Sequence, residues 1–123
     1  MKKRSGKSVL CIGSDLINLN LRCSLLRKHG WDVVSSSSGH DGVFRFAKGN
    51  FQAVVLDLND DGAEAALIAA ELKRQRPRIR IIMLITNMEG LAPRATEQAD
   101  AVILKSQEET ILPDRLRDLI LPM

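Results

Sequence analysis

One short stretch, residues 53–57, constrains the fold of this chain more than any other. It contains four consecutive apolar residues, two of them β-branched, and ends on the carboxylate of Asp57. Such a run predicts a strand buried on both faces, and strands of that kind belong to parallel sheets covered by helices on each side. Further runs predict strands at 8–12, 79–85 and 101–104, and a weaker one at 31–34 predicts an edge strand.

Helix-type periodicity lies between these runs. Leu16, Leu19, Cys23 and Leu26 recur with the spacing of one buried helical face. Further helices are predicted at 41–48, between Gly62 and Pro77, at 89–98, and from Pro113 to Leu121. Right-handed crossovers between parallel strands then predict a (βα)5 flavodoxin-like fold of class α/β. This is a doubly wound, five-stranded parallel sheet with the order 2-1-3-4-5.

Composition indicates one globular domain. The chain has 123 residues, 45% of them apolar, and a net charge of +3 to which the first seven residues contribute four positive charges. We expect a disordered basic arm at 1–6 and a domain at 7–121. The body is nearly neutral and has no basic stripe, so we expect no nucleic-acid partner. No apolar run could span a membrane, and we expect a cytoplasmic protein. Cys11 and Cys23 have no metal-ligand spacing and are predicted to be buried thiols.

Three polar residues are predicted to meet at the carboxyl edge of the sheet, namely Asp57, Thr86 and Lys105. A carboxylate can accept a phosphoryl group, an ammonium can pair with phosphate oxygens, and a hydroxyl can donate to another of those oxygens. The alternative is that Asp57 caps its turn or simply pairs with Lys105. The sequence leaves both interpretations open.

With these residues in place, the chain resembles the receiver domains of two-component response regulators over nearly its whole length. The resemblance rests on the strand runs ending at 12, 57, 86 and 105. It implies that Asp57 is the phosphoacceptor, Thr86 the switch hydroxyl and Lys105 the phosphate partner. It also implies a CheY-like signalling module rather than an enzyme. Its partners would be a sensor histidine kinase or phosphotransfer protein and an output protein, with a homodimer through the last two helices.

The sequence departs from the receiver pattern at the metal site. Receivers carry an acidic pair after the first strand that binds Mg²⁺, and here those positions are Gly13 and Ser14. Mg²⁺ requires oxygen ligands and usually takes one or two carboxylates. The remaining candidate ligands are Asp57 and Asn59, with Asp15 as a weak substitute. The sequence therefore predicts weak Mg²⁺ binding at best.

Three functional hypotheses follow. The first is a receiver that accepts a phosphoryl group on Asp57, and the second is a pseudo-receiver that binds partners without phosphorylation. The first would present a face between helices four and five that carries Arg94, Arg115 and Arg117. A small α/β enzyme or a flavin- or nucleotide-binding protein is disfavoured, because no Gly-x-Gly-x-x-Gly or Walker loop follows a strand.

Overall fold

Five parallel strands form one sheet in the computed structural model of the protein, which describes residues 7–58 and 62–120. The strands are β1 (Ser8–Gly13), β2 (Asp32–Ser36), β3 (Ala53–Asp57), β4 (Arg80–Ile85) and β5 (Ala101–Leu104). Their order is β2-β1-β3-β4-β5, as predicted, with β2 at one edge. Every residue of β1 and β3 is buried, which explains why both read as continuous apolar runs.

Helices cover both faces of the sheet. They are α1 (Leu16–Lys28), α2 (Gly39–Lys48), α3 (Ala63–Gln75) and α4 (Glu108–Ile120). One core layer joins α1 and α4 to the sheet, and the other joins α2 and α3 to its opposite face. The doubly wound fold class is therefore confirmed. No helix in the described ranges has the length and apolar character needed to cross a membrane.

The fourth connection differs from the prediction. Residues 86–100 form successive turns, so the helix predicted at 89–98 was wrong. Pro93 disfavours helical geometry at Ala92, and both Gly90 and Arg94 have positive φ angles, of 79° and 64°. The segment is held by short-range hydrogen bonds such as Ala95 N–H to Ala92 O at 3.0 Å. The element pattern is therefore (βα)5 with its fourth helix replaced by turns.

The last helix also differs. It begins at Glu108 and not at Pro113, directly after a 3₁₀ turn at Lys105–Gln107. A proline inside a helix removes one backbone hydrogen bond and costs about 3 kcal/mol. Here Pro113 is buried beside Leu112, and Leu116 is buried on the same helix, so packing against the sheet outweighs that cost.

Helix α1 buries the predicted face except at one position. Leu19, Cys23 and Leu26 are buried as expected, but Leu16 is 58% exposed. The remaining place on the buried face belongs to Arg22, whose residue surface is only 2% exposed. Cys11 and Cys23 are both buried, as predicted. The arm at 1–6 lies outside the described residues.

Candidate functional site

The carboxyl ends of β1 and β3 lie level with each other. The register pairs Gly13 with Asp57, so the last residue of one strand stands beside the last residue of the other. Lys105 follows β5 directly, and Thr86 follows β4. The strand ends thus place the predicted residues along one edge of the sheet, as expected for a doubly wound fold.

Asp57 is buried and carries a cation on each carboxylate oxygen. Its side chain is 2% exposed. The Lys105 Nζ lies 2.6 Å from Oδ1 and forms an ion pair with it. On the other side, Arg22 donates a hydrogen bond from Nη2 to Oδ2 at 2.9 Å. The predicted approach of Lys105 to Asp57 is therefore present, together with a second cation that was not predicted.

Arg22 also joins Asp57 to the last helix. Its Nε donates to Glu108 Oε2 at 2.7 Å, and its Nη2 donates to Glu108 Oε1 at 3.0 Å. This is a bidentate arginine–carboxylate pair, the strongest common form of ion pair. Because Nη2 contacts Asp57 as well, a single guanidinium connects α1, β3 and α4.

The charges of the four ionised groups at this site sum to zero. Arg22 and Lys105 supply two positive charges, and Asp57 and Glu108 supply two negative charges. Burial lowers the pKa of the Arg22 guanidinium, but its hydrogen bonds and charge interactions with Glu108 and Asp57 outweigh that effect and raise the pKa overall. Arg22 is therefore a permanent cation at any physiological pH. Its side chain is 1% exposed, so water screens this charge very little.

One nitrogen of Arg22 points toward the end of β1. Nη1 is buried and has no hydrogen-bond partner in residues 7–58 and 62–120. A Cβ atom added to Gly13 would lie 3.5 Å from this nitrogen, which is ordinary van der Waals contact. A side chain at position 13 would thus start directly beside the guanidinium.

Thr86 and Lys105 line one small pocket at the end of β4. The pocket has a volume of about 20 Å³, room for about one water molecule. Leu58, Leu91 and Ala95 form its apolar wall. Thr86 itself is exposed. Its role as a switch hydroxyl remains a prediction.

The residues at the strand ends do not fit a Mg²⁺ site as they stand. Gly13 and Ser14 offer no carboxylate, and both Asp57 oxygens already contact cations. The Asp15 carboxylate caps α1, accepting hydrogen bonds from the backbone N–H groups of Ile17 and Asn18. Asn59 lies outside the described residues. Within the described ranges, no group of three or more His, Cys, Asp and Glu side chains is arranged to hold a metal.

The predicted partner face is changed by the missing fourth helix. Arg94 lies in the turn segment and pairs with Glu97 at 2.6 Å. Arg115 and Arg117 are exposed on α4, where Arg117 pairs with Asp114 at 3.5 Å. The predicted face between helices four and five is therefore wrong, because Arg94 lies in a turn segment and not on a helix. Use of these arginines by a partner stays a prediction.

The sequence interpretation missed Arg22 and Glu108. A signal for Arg22 was available, because it stands three residues after Leu19 and four before Leu26, in the middle of an apolar face. An arginine at such a position needs a buried carboxylate partner. Glu108 carried no comparable signal, since acidic residues are ordinary in the first turn of a helix.

Comparison with solved structures shows which fold this is. The chain resembles the response regulator TrrA of Thermotoga maritima, solved with Mg²⁺ and BeF, with a TM-score of 0.83 and 21% identity over 92% of this chain and 98% of that one. A structure of the same regulator in complex with the histidine kinase ThkA matches with a TM-score of 0.81, at 21% identity over 93% and 98% of the chains.

A third similar structure is the receiver domain of a sensor histidine kinase from Pseudomonas aeruginosa, with magnesium in its active-site cleft. It matches with a TM-score of 0.81 and 20% identity, over 94% of this chain and 98% of that one. The sequence matches no protein-family profile and no curated protein. The chain therefore has the fold of response-regulator receiver domains.

Proposed function

We propose that this chain is a receiver-type signalling module that works through protein contacts and does not depend on phosphorylation of Asp57. One observation carries the proposal: both oxygens of the Asp57 carboxylate are held by side-chain cations of the protein itself, Arg22 at 2.9 Å and Lys105 at 2.6 Å. A carboxylate that accepts a phosphoryl group must present an oxygen to the incoming phosphorus. Here burial and two ion pairs withhold that oxygen.

The missing metal ligands support the same conclusion. The structures of TrrA and of the Pseudomonas receiver contain Mg²⁺, whereas this chain has Gly13 and Ser14 in place of an acidic pair, and its Asp15 carboxylate caps α1. Phosphoryl transfer depends on cations that neutralise the transferring group. In this site the available positive charge is already neutralised by Asp57 and Glu108.

Exposed apolar side chains favour a protein partner. Helix α1 exposes Leu16, Ile17 and Leu21 by 58%, 74% and 65%. Ile17 and Leu21 stand four residues apart and so lie on one side of the helix, and exposed apolar side chains grouped on one surface commonly mark a protein–protein contact. TrrA was solved in complex with a histidine kinase. We propose a kinase, a phosphotransfer protein or an output protein as the partner class here, and a non-enzymatic role.

The second candidate is a receiver that accepts a phosphoryl group on Asp57. The position of Lys105 favours it, because an ammonium 2.6 Å from the carboxylate could pair with the phosphate formed there. Arg22 would then have to leave Oδ2 and keep only Glu108.

Intact-mass spectrometry after incubation with acetyl phosphate and Mg²⁺ tests the proposal, with wild type beside Asp57→Ala. We expect no phosphoryl adduct on either protein at long incubation. An adduct on wild type that is absent from Asp57→Ala would refute the proposal and establish the second candidate. An adduct on both proteins would mean modification elsewhere, and peptide mapping would then decide whether Asp57 itself is unmodified, as we expect.

A further inference from the structure

We infer that the guanidinium of Arg22 is a resident cation that fills a divalent-cation site built by Asp57 and Glu108, and that it closes this site to metal ions in the native protein. The inference deepens the proposed function and rests on it only in taking the Asp57 pocket as the functional site. It concerns what binds between the two carboxylates, not whether Asp57 accepts a phosphoryl group.

The first step is that two carboxylates converge on one point. Asp57 Oδ2 lies 2.9 Å and Glu108 Oε1 lies 3.0 Å from the same nitrogen, Nη2 of Arg22. Two negative groups facing one position are the usual protein contribution to a Mg²⁺ site, in which water supplies the other ligands. The carboxylate oxygens would have to close in to roughly 2.1 Å from such an ion.

The second step is that the guanidinium occupies this point as an ion would. Its side chain is 1% exposed, and three hydrogen bonds fix it to the two carboxylates. A buried carboxylate left without a counter-charge destabilises the folded protein. Lys105 contacts only Oδ1 of Asp57, so Oδ2 of Asp57 and the Glu108 carboxylate, which is 18% exposed, share Arg22 as their cation. A covalently attached cation is present at all metal concentrations.

The third step concerns the unused nitrogen. Nη1 is buried and lacks a hydrogen-bond partner in the described part of the chain, and it faces the position where a Gly13 side chain would begin. Glycine at this position leaves room beside the guanidinium. The cation is thus supported by one carboxylate from β3 and one from α4, and by none from the end of β1.

Mn²⁺ titration tests the inference, with free Mn²⁺ followed by electron paramagnetic resonance. Wild type should show no saturable binding. Arg22→Ala should show saturable Mn²⁺ binding at least about tenfold tighter than the weakest binding that the wild-type titration could detect, a difference of about 1.4 kcal/mol. Arg22→Ala combined with Glu108→Gln should lose that gain. The matched control is Arg45→Ala, which removes an equal charge from an exposed carboxylate, Asp41, and it should bind like wild type.

Three results would overturn the inference: saturable binding to wild type that Glu108→Gln abolishes, equal gains from Arg22→Ala and Arg45→Ala, or a folded Arg22→Ala that binds no better than wild type.

If circular dichroism shows that Arg22→Ala is unfolded, methylguanidinium at millimolar concentration should restore its fold, whereas methylammonium should not. Equal restoration by both cations, or by neither, would also overturn it. The acetyl phosphate experiment fails or succeeds separately, since its readout is a covalent adduct.

Discussion

Asp57 and Asp100 lie at opposite ends of the same sheet, and each carboxylate contacts two cationic side chains. Asp57 ends β3 and contacts Arg22 and Lys105. Asp100 precedes β5 and contacts Lys73 at 3.0 Å and Arg80 at 3.4 Å. Burial separates the two sites, because the side chain of Asp57 is 2% exposed and that of Asp100 is 20% exposed.

This difference in burial indicates how much each carboxylate contributes to stability. Exposed ion pairs contribute about 0–1 kcal/mol, because water screens them and replaces a lost partner. A buried pair that loses one partner leaves an uncompensated charge and costs about 3–5 kcal/mol. Asp100, which also accepts the Ile81 N–H at 2.8 Å, acts as a surface connection between α3, β4 and β5. The Asp57 site instead depends on every member of its network.

Arg22→Ala should give the largest effect in this comparison. It removes the cation that Asp57 and Glu108 share, so we expect the free energy of unfolding to fall by about 3–5 kcal/mol. Arg80→Ala, the equivalent change at the Asp100 site, should cost less than about 1 kcal/mol. Urea denaturation of both variants measures this. Equal costs would show that burial does not distinguish the two sites.

Glu108→Gln should have the next largest effect on stability. The amide can accept only one of the two arginine hydrogen bonds and carries no charge, so we expect a loss of about 2 kcal/mol. Glu109→Gln, one residue along and exposed, should change stability by a few tenths of a kcal/mol at most. The same urea experiment compares them. If Glu108→Gln lost no more stability than Glu109→Gln, the bidentate pair would contribute little.

Asp100→Asn should have a smaller effect. The asparagine oxygen can still accept the Ile81 N–H, so the loss is confined to the ion pairs with Lys73 and Arg80, about 1 kcal/mol. Added salt should reduce this difference, since the pairs are partly exposed. Thermal unfolding at low and high salt provides the measurement. A difference that does not vary with salt would contradict the assignment of these pairs to the surface.

The smallest effect should appear in acid. Burial raises the pKa of Asp100, but the Ile81 N–H hydrogen bond and the Lys73 and Arg80 charges outweigh it, so the pKa lies below its ordinary value. A lowered folded-state pKa contributes stability above the unfolded value of about 3.9, and this is lost as the pH falls through the folded value. Wild type should therefore lose slightly more stability than Asp100→Asn below about pH 5. The measurement is the free energy of unfolding of both proteins as the pH falls. Equal losses of stability in wild type and Asp100→Asn would contradict this prediction.

The comparison also shows which parts of the structure the sequence could predict. Four of the five strands follow from continuous apolar runs and β2 from a weaker one, and the strand order follows from the rules for connecting parallel strands. The approach of Lys105 to Asp57 follows from topology alone, because both residues end parallel strands.

Two other features were missed, one for a local reason and one because it depends on tertiary contacts. Residues 89–98 are compatible with a helix in composition, yet Pro93 and the positive φ of Arg94 give turns instead. The bond between Arg22 and Glu108 joins residues far apart in sequence, and no local pattern encodes it. Local rules therefore predicted the sheet and most of the helices and could have indicated a buried Arg22, while the identity of its partners, Asp57 and Glu108, needed the folded structure.

The bonds made by Arg22 also bear on the order in which this protein folds. Arg22 contacts Asp57 across 35 residues and Glu108 across 86. Contacts between residues so distant in sequence form late, because the intervening chain must first be ordered. During synthesis, a growing chain that ends before residue 108 contains the arginine but not its bidentate partner. Docking of α4 is therefore the step that completes the charge balance of the site, and we expect Arg22 to be fully buried only then.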